Sequence, residues 1–331
     1  MTLTTRYLGF DLTSPFIASA SPLTGKIDSL KALEDAGAAA VVLPSVFEEQ
    51  LRQEREAIDT FTALHADMLT EAQSFFPDPA LYERESHRTL DLVRAAREAL
   101  NIPVIASLNG ISPDGWVLFA KELVDAGAQA IELNLYHIGS DPAVSGDEIE
   151  ARHEETVRAV RQAIDVPLAV KLSPWFSCFA NVARRITHAG ADALVLFNRF
   201  YLPDIDPETL TLERTLQLSR SQDLLLPMSW IAMLRPHHQN HLALTGGLHQ
   251  PLDAVKGLMA GADALMSTAA LLKNSPEHLV HLREGLIQWM NAKGYSSLDE
   301  LRGCMSRDRV RNPDLFERTN YMKLLDSWPG L

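Results

Sequence analysis

A single lysine lies inside one of the most apolar stretches of the chain, and its position there suggests chemistry. Lys171 belongs to the run Leu168–Leu172, which has the length and composition of a buried strand. An ammonium group is costly to bury without a partner. Lys171 is therefore expected to meet the electron-rich group of a ligand, or to act as a Schiff-base nucleophile. The structural alternative is a salt bridge to Glu132 on the adjacent predicted strand.

Two turns of small residues nearer the C-terminus have the composition of a phosphate-binding site. Gly246 and Gly247 follow one short apolar run, and Ser267 and Thr268 follow the next. Glycine lets a backbone approach a ligand closely, and free N–H groups at a turn or helix start attract anions. We interpret the two turns as the binding site for the phosphate of a phosphorylated cofactor. Because a Gly-Gly pair is a weak signal, simple tight turns are the alternative.

A repeated sequence pattern indicates which elements position these residues. Ala-Gly-Ala-x-Ala occurs four times, always after an amphipathic segment and before an apolar run, at residues 36–40, 126–130, 189–193 and 260–264. Its glycine fits the left-handed position that ends a helix, and the small residues after it let the chain enter a buried strand. Four such junctions indicate repeated helix-to-strand units in a parallel sheet.

Eight apolar runs alternate with helix-like segments over about 270 residues, which favours an α/β fold with a single (β/α)8 TIM barrel. An open, doubly wound sheet is the alternative. The runs span residues 16–20, 40–44, 103–108, 130–135, 168–172, 193–198, 241–245 and 264–266.

Two connections are too long for a bare link between a strand and a helix. Residues 47–101 form a long excursion after the second strand, which we interpret as a candidate lid. Residues 199–240 form the second long connection. We expect residues 1–305 to form the barrel and residues 306–331 to form a C-terminal extension, packed on the barrel or at a subunit interface.

Polar residues at the carboxyl ends of TIM-barrel strands face the active site. The predicted strand ends therefore supply the candidate site residues. These are Ser19, Ser21, Ser107, Asn109, Asn134, Tyr136, His137, Lys171, Ser173 and Asn198.

Several motifs resemble the dihydroorotate dehydrogenase family of FMN-dependent TIM barrels. In order, between about Leu8 and Gly303, they are SPFIASAS, IELNL, LAVKLSP, AGADALVLFN, TGG, AGADALMSTAALL and AKGYSSLDELRG. The resemblance implies that Lys171 faces the N1/O2 edge of the isoalloxazine, and that Asn134 and Asn198 contact both flavin and substrate. The cofactor-binding residues that it implies are Ala20, Asn109, Asn134, Lys171, Asn198, Gly246, Gly247, Ser267 and Thr268.

The catalytic base departs from the family pattern. The family places a Cys or Ser base in the loop after the fourth strand, and gap-free comparison puts His137 at that position. Histidine is competent, with an ordinary pKa of about 6.5 against about 10 for tyrosine. His137 and Lys171 are thus the predicted catalytic residues. Ser140 takes the role of base if the loop register slips, and the remaining alternative is that Tyr136 and His137 only pack the loop.

The half of the site that would hold dihydroorotate departs further. The family's asparagine-containing segment after the second strand has no counterpart in residues 61–79. The second asparagine of the base loop falls on Gly139, and the usual lysine after the second strand falls on Pro44. The predicted substrate-binding residues are therefore Asn134 and Asn198 alone, and the loss of donors should relax or redirect specificity.

Composition excludes several other classes of protein. A formal charge of −13 argues against nucleic-acid and anionic-membrane partners. Two cysteines allow no disulfide framework and no CxxC zinc knuckle. The N-terminal residues have no signal-like apolar segment, so a cytoplasmic protein is expected. His237, His238 and His241 cluster without a carboxylate or cysteine nearby in the sequence, so no metal site is predicted.

Together these features predict an FMN-dependent oxidoreductase of the dihydroorotate-to-orotate type, in pyrimidine biosynthesis, whose true substrate can differ from dihydroorotate. Two alternatives are open: a flavin-free phosphate-binding lyase that uses Lys171, and a non-catalytic FMN-binding paralogue. The expected partners are a small-molecule substrate, an electron-transfer protein and a second copy of the chain in a homodimer.

Overall fold

The computed structural model describes residues 2–47, 49, 85–109, 113–200, 202–213, 216–317 and 321. Most of the predicted excursion, and with it the candidate lid, therefore lies outside the described residues. The end of that connection is a helix that leads into the next barrel strand.

The described residues form twelve strands, of which eight close into one parallel barrel. Counted along the chain, the third to eighth strands lie side by side in order, followed by the eleventh and the twelfth. The twelfth strand pairs with the third and closes the barrel. Each predicted apolar run contributes one barrel strand, so the predicted (β/α)8 barrel is confirmed and the open sheet is excluded. In chain order the strands are β1 (Thr5–Tyr7), β2 (Phe10–Leu12), β3 (Phe16–Ala18), β4 (Ala40–Phe47), β5 (Val104–Asn109), β6 (Ala130–Asn134), β7 (Leu168–Leu172), β8 (Ala193–Leu196), β9 (Asp204–Asp206), β10 (Thr211–Glu213), β11 (His241–Thr245) and β12 (Ala264–Ser267).

Helices surround the barrel and bury one face each against it. In the helix Gly146–Ala163, the buried positions His153, Thr156, Val157 and Val160 recur every three or four residues, which is the helical period. The α-helices of the described residues are α1 (Ile27–Asp35), α2 (Glu85–Ala99), α3 (Pro113–Asp125), α4 (Gly146–Ala163), α5 (Phe179–His188), α6 (Leu225–Leu234), α7 (Pro251–Ala260), α8 (Ala269–Asn274), α9 (His278–Lys293) and α10 (Leu298–Leu301).

The glycines of the four Ala-Gly-Ala-x-Ala junctions have φ angles between +98° and +120°, as the helix-end interpretation requires. Each of them also packs under an arginine. A Cβ added at Gly190 would lie 2.4 Å from Cγ of Arg161, so only glycine fits. Asp192, two residues on, accepts hydrogen bonds from Arg161 at 3.1 Å and from the backbone N–H of Leu168 at 2.8 Å. The junction thereby ties a helix end to the start of the neighbouring strand.

The bottom of the barrel is filled by alanines and closed by the N-terminal β1–β2 hairpin. Tyr7 and Leu8 from this hairpin are buried in the same apolar cluster as the alanines. Burial, followed by the charges of Glu132 and Asp263, raises the pKa of Tyr7 well above its ordinary value. The alanines that the barrel strands contribute to this cluster are Ala40, Ala130, Ala169, Ala193, Ala243 and Ala264.

A second antiparallel pair, β9 and β10, stands outside the barrel in the long connection after β8. Its turn is held by Asp206, which accepts hydrogen bonds from the backbone N–H groups of Glu208 and Thr209 at 2.8 and 3.3 Å. Leu210 follows with φ +52°, a conformation in which a leucine is strained. Five apolar side chains in and around this hairpin are each at least 68% exposed: Leu202, Ile205, Leu210, Leu212 and Leu216. We refer to these five residues as the apolar hairpin.

The start of the predicted C-terminal extension packs on the barrel helices. The backbone N–H of Met305 donates to the carbonyl of Met259 in α7, and that of Arg307 donates to the carbonyl of Ala232 in α6. The division of the chain at residue 305 stays a prediction, and residues 318–320 and 322–331 lie outside the described part.

Candidate active site

A cavity of about 770 Å³ opens at the carboxyl ends of the barrel strands. All the residues predicted to bind cofactor or substrate line it, although they come from seven separate segments of the chain. They are Ala20, Asn109, Asn134, Lys171, Asn198, Gly246, Gly247, Ser267 and Thr268. The sequence prediction therefore picked residues that the fold brings together in one cavity.

The ammonium of Lys171 lines the floor of this cavity and is paired with a carboxylate inside the barrel. Its Nζ lies 3.5 Å from Oε1 of Glu132, whose side chain is fully buried. Among the described residues neither oxygen of Glu132 has a hydrogen-bond partner, so the Lys171 charge is the main compensation for this buried carboxylate. The structural alternative of a Glu132 salt bridge is confirmed. It is compatible with a ligand role because Lys171 also faces the cavity.

Asn134 is held in place by two serine hydroxyls from neighbouring strands. Its Nδ2 donates to Oγ of Ser45 at 3.0 Å and to Oγ of Ser107 at 2.9 Å, and the two hydroxyls are themselves 2.7 Å apart. The other amide atom, Oδ1, is buried without a partner among the described residues. Asn134 can therefore offer an acceptor to a donor group of a bound molecule.

Asn198 is anchored in a similar way by backbone carbonyls. Its Nδ2 donates to the carbonyls of Lys171 at 3.2 Å and of Leu135 at 3.4 Å. Asn109 lies in register with Asn134 at the end of β5 and completes a group of three amide side chains around the cavity.

The Gly246-Gly247 turn leaves room for a ligand on one side and touches protein on the other. A Cβ at Gly246, where φ is +91°, would enter open space at the cavity, whereas a Cβ at Gly247 would lie 2.2 Å from the backbone nitrogen of Leu224. At the end of the adjacent strand β12, Ser267 has a buried Oγ with no partner among the described residues, and Thr268 precedes α8. The two turns therefore leave a small space lined by backbone and a hydroxyl, as an anion cradle does.

This glycine turn is fixed from behind by the start of α7. Oδ2 of Asp253 accepts hydrogen bonds from the backbone N–H groups of His249 and Gln250 and from the hydroxyl of Ser221. The ring of His249 is 3.0 Å from Oγ of Ser219, which itself lines the cavity.

The predicted base does not line the cavity within the described part of the chain. The ring of His137 packs edge-on against that of His153, with ring centres 6.2 Å apart. Burial and then the neighbouring His137 lower the pKa of His153 to about 4. Tyr136 does line the cavity, and its ring stacks on Phe200 at 4.4 Å. The catalytic role of His137 stays a prediction.

Sequence reasoning missed part of the cavity wall. Arg199 lines it directly after Asn198 and forms a salt bridge with Asp223 at 3.2 Å. The sequence feature that could have identified Arg199 is its position directly after an asparagine at a strand end. Leu218 and Ser219 also line the cavity, but they come from a long connection that carries no motif.

The described residues contain no group of three histidine, cysteine or acidic side chains arranged to bind a metal ion. Of the clustered histidines, His238 is buried, and burial followed by the charge of Arg235 lowers its pKa to about 4. Among the helices of the described residues, none is both long enough and apolar enough to cross a membrane.

Comparison with known proteins defines the family. Over 231 residues the chain is 31% identical to the dihydroorotate dehydrogenase B (NAD(+)) catalytic subunit of Methanothermobacter thermautotrophicus, covering 64% of this chain and 73% of that protein. The chain belongs to the dihydroorotate dehydrogenase family. The catalytic subunits of Listeria monocytogenes and Pyrococcus abyssi, which carry the same name, are 29% and 28% identical over 62% of this chain, covering 69% and 70% of their own lengths. No family model matches the chain.

The buried Lys171–Glu132 pair predicts a specific pattern of stability. Lys171→Met leaves Glu132 buried without its partner, and we expect the free energy of unfolding to fall by about 3–5 kcal/mol. Adding Glu132→Gln should recover most of that loss, because a neutral amide is cheaper to bury than a lone carboxylate. Urea unfolding of the two single variants and the double variant measures this. A double variant no more stable than Lys171→Met would contradict the pairing.

Proposed function

We propose that this protein is an FMN-dependent oxidoreductase that oxidises a CH–CH group of a small substrate, as in the conversion of dihydroorotate to orotate. The observation that carries the proposal is the set of nine predicted cofactor-binding residues around one cavity in a member of the dihydroorotate dehydrogenase family. The relatives named above are dehydrogenases by name, which supports an oxidoreductase at family level.

The residues present fit the phosphate of FMN. The open space beside Gly246 and the unpartnered, buried hydroxyl of Ser267 are where an anion would be received. The first N–H groups of a helix have no partner within the helix, so the start of α8 after Thr268 adds donors. A solvated tight turn has no need of a buried hydroxyl without a partner, which favours the cradle over the simple turn.

The floor of the cavity fits the ring system. When bound, FMN supplies a hydride acceptor whose ring gains negative charge. Lys171 would stabilise that charge through its ammonium, which Glu132 holds at the cavity floor. Asn134 would offer its free Oδ1 as an acceptor, while the anchored amide of Asn198 would position the substrate.

The pairing of Lys171 also bears on the lyase alternative. Nζ of Lys171 is held 3.5 Å from a buried carboxylate that has no hydrogen-bond partner among the described residues, whereas a Schiff-base nucleophile must leave such a pairing to attack a carbonyl. The environment therefore favours an electrostatic role over a nucleophilic one. The non-catalytic paralogue differs from the enzyme in that no substrate would bleach its bound flavin.

We propose His137 as the base that removes the substrate proton. Its ring now packs on His153, so this role requires the loop after β6 to move toward the cavity when substrate binds. Hydrogen bonds of catalytic bases commonly form only in the substrate complex. Tyr136, which lines the cavity, is the second candidate.

The substrate side of the cavity is more apolar than one built for a carboxylated pyrimidine. Pro44 lines the wall where the family resemblance implies a lysine, and Phe47, Tyr136 and Phe197 line it as well. We infer a substrate other than dihydroorotate, or one held more loosely, because fewer donors are available to orient a polar ring.

We further propose a homodimer formed through the apolar hairpin. A two-stranded sheet has unpaired edges, and a group of five exposed apolar side chains is costly to leave in water. No contact within the described part of the chain accounts for the strained, 86% exposed Leu210. Two copies of the same surface can cover each other about a twofold axis. An electron-transfer protein is the further partner that we propose.

The cofactor proposal predicts that the purified protein binds one FMN per chain, giving a visible flavin spectrum. Gly246→Ala should weaken FMN binding at least about tenfold, since its Cβ would enter the cradle. Gly9→Ala is the matched control, because it has a similar φ and an equally open Cβ site in the β1–β2 turn. Titration with FMN checks both. A wild-type chain that binds no FMN, or equal binding by the two variants, would overturn the proposal.

The base is tested by the rate at which dihydroorotate, and a panel of related saturated and unsaturated acids, bleach the bound flavin. We expect His137→Gln to slow this half-reaction by about 100-fold or more, the usual contribution of a general base. Tyr136→Phe should leave it within a few-fold. The opposite result would transfer the role to Tyr136, and a wild-type flavin that no compound bleaches would favour the non-catalytic paralogue.

The dimer proposal predicts a solution mass of twice the 36.7 kDa chain. Leu212→Lys should give a monomer, since it buries a charge in the apolar contact. Leu118→Lys changes an exposed leucine of α3, away from the hairpin, and should remain dimeric. Light scattering after gel filtration measures all three masses. A dimeric Leu212→Lys protein would place the interface elsewhere.

A further inference from the structure

A second cavity, of about 690 Å³, adjoins the first and shares Arg199 and Leu218 with it. Its charged lining consists of Arg199, Arg220 and Lys273, with Asp223 as the one carboxylate. Two amide side chains, Gln217 and Gln222, complete the polar wall. We call this second cavity the basic annex. The net charge of its lining residues is positive, whereas the whole chain carries a formal charge of −13.

Two cations of the basic annex, Lys273 and Arg199, are held by hydrogen bonds to the surrounding loop. Lys273 donates from Nζ to the carbonyl of Ser219 at 3.1 Å. Asp223 accepts hydrogen bonds from the backbone N–H of Arg220 at 2.9 Å and from Arg199 at 3.2 Å. Burial raises the pKa of Asp223, but these two hydrogen bonds and the charges of Arg199 and Arg220 together outweigh it, so that this pKa lies below its ordinary value. Asp223 therefore stays charged and offsets only part of the positive charge.

Arg220 contributes to this network only through its backbone N–H and through the effect of its charge on the pKa of Asp223. Within the described part of the chain its guanidinium has no hydrogen bond or salt bridge, although it lines a concave surface beside two other cations. Like charges gathered in one concavity repel each other and focus a positive potential there. An oxyanion would relieve that repulsion and match the planar donor fork of arginine.

The annex is placed to act on the substrate because of Arg199. This residue follows Asn198, which faces the substrate side of the proposed flavin site, and it lines both cavities. We propose that the basic annex binds an anionic substituent, a carboxylate or a phosphate, of a substrate whose reacting carbons lie in the flavin cavity. This inference rests on the proposed function. It makes the substrate longer than a single ring, with an apolar part beside Pro44 and Phe47 and a charged end at Arg199 and Arg220.

The test is calorimetric titration of the FMN-loaded protein with inorganic phosphate and, separately, with succinate. Wild type should bind at least one of the two saturably, and the preferred probe distinguishes a phosphorylated from a carboxylated substrate. Arg220→Gln should weaken binding of that probe about tenfold or more, as loss of a charge-assisted hydrogen bond does. Arg309→Gln, an exposed arginine that lines neither cavity, is the control and should bind like wild type.

FMN affinity, measured on the same proteins, separates the possible failures. It should be equal in wild type and Arg220→Gln. A weaker FMN affinity in Arg220→Gln would mean that the annex holds the cofactor's own phosphate and would overturn the inference, as would equal probe binding by Arg220→Gln and wild type. If wild type binds no FMN, the proposed function fails. The titration with phosphate and succinate, repeated without FMN, then tests the basic annex alone. Probe binding that Arg220→Gln weakens would support the annex as an anion site, and probe binding that is equal in the two proteins would rule it out.

Discussion

The pairing of one buried carboxylate with one lysine sets the character of the whole cavity. Glu132 lies inside the barrel with no hydrogen bond among the described residues, so its charge is tolerable only because the Lys171 ammonium is 3.5 Å away. The two side chains belong to neighbouring strands, β6 and β7, which pair in parallel register. The barrel thereby fixes a positive charge at the cavity floor with little freedom to move. Preorganised charge of this kind stabilises a developing negative charge without reorganisation at the moment of reaction.

The rest of the fold supports this arrangement from below and from the side. Alanines and the N-terminal hairpin fill the bottom of the barrel, and the Tyr7 hydroxyl lies near enough to Glu132 for that charge to raise its pKa. At the rim, Asp253 fixes the turn after β11 through backbone hydrogen bonds. A floor built on a salt bridge and a rim built on small residues suit the proposed cofactor, whose ring system would lie at the floor and whose phosphate would lie at the rim.

The barrel strands and most of the cavity were predictable from the sequence, for physical reasons. Strands covered on both faces are continuous apolar runs, and glycines such as Gly190 mark the point where a helix ends and a strand begins. Because parallel strands end at one edge of the sheet, residues as far apart as Asn109 and Gly246 could be assigned to one site. Lys171 was identifiable because a cation in an apolar run demands a partner.

Other features depend on contacts that no local pattern encodes. The path of the connection that brings Ser219 to the cavity is set by Lys273 and His249, which come from later elements. Sequence comparison placed His137 at the base position, but the loop's path is set by side-chain packing, and His137 turns to His153 while Tyr136 stacks on Phe200. The exposure of the apolar hairpin was likewise invisible in a sequence that alternates polar and apolar residues as an ordinary strand pair does.

The central claim is that the Lys171 ammonium, held by Glu132, stabilises negative charge on a bound flavin. The most direct measurement is the two-electron midpoint potential of FMN bound to wild type and to the charge-neutral Lys171→Met/Glu132→Gln protein. The account predicts a potential lower in the double variant by about 30 mV or more, which corresponds to about 1.4 kcal/mol for a two-electron couple. Equal potentials in the two proteins would contradict it.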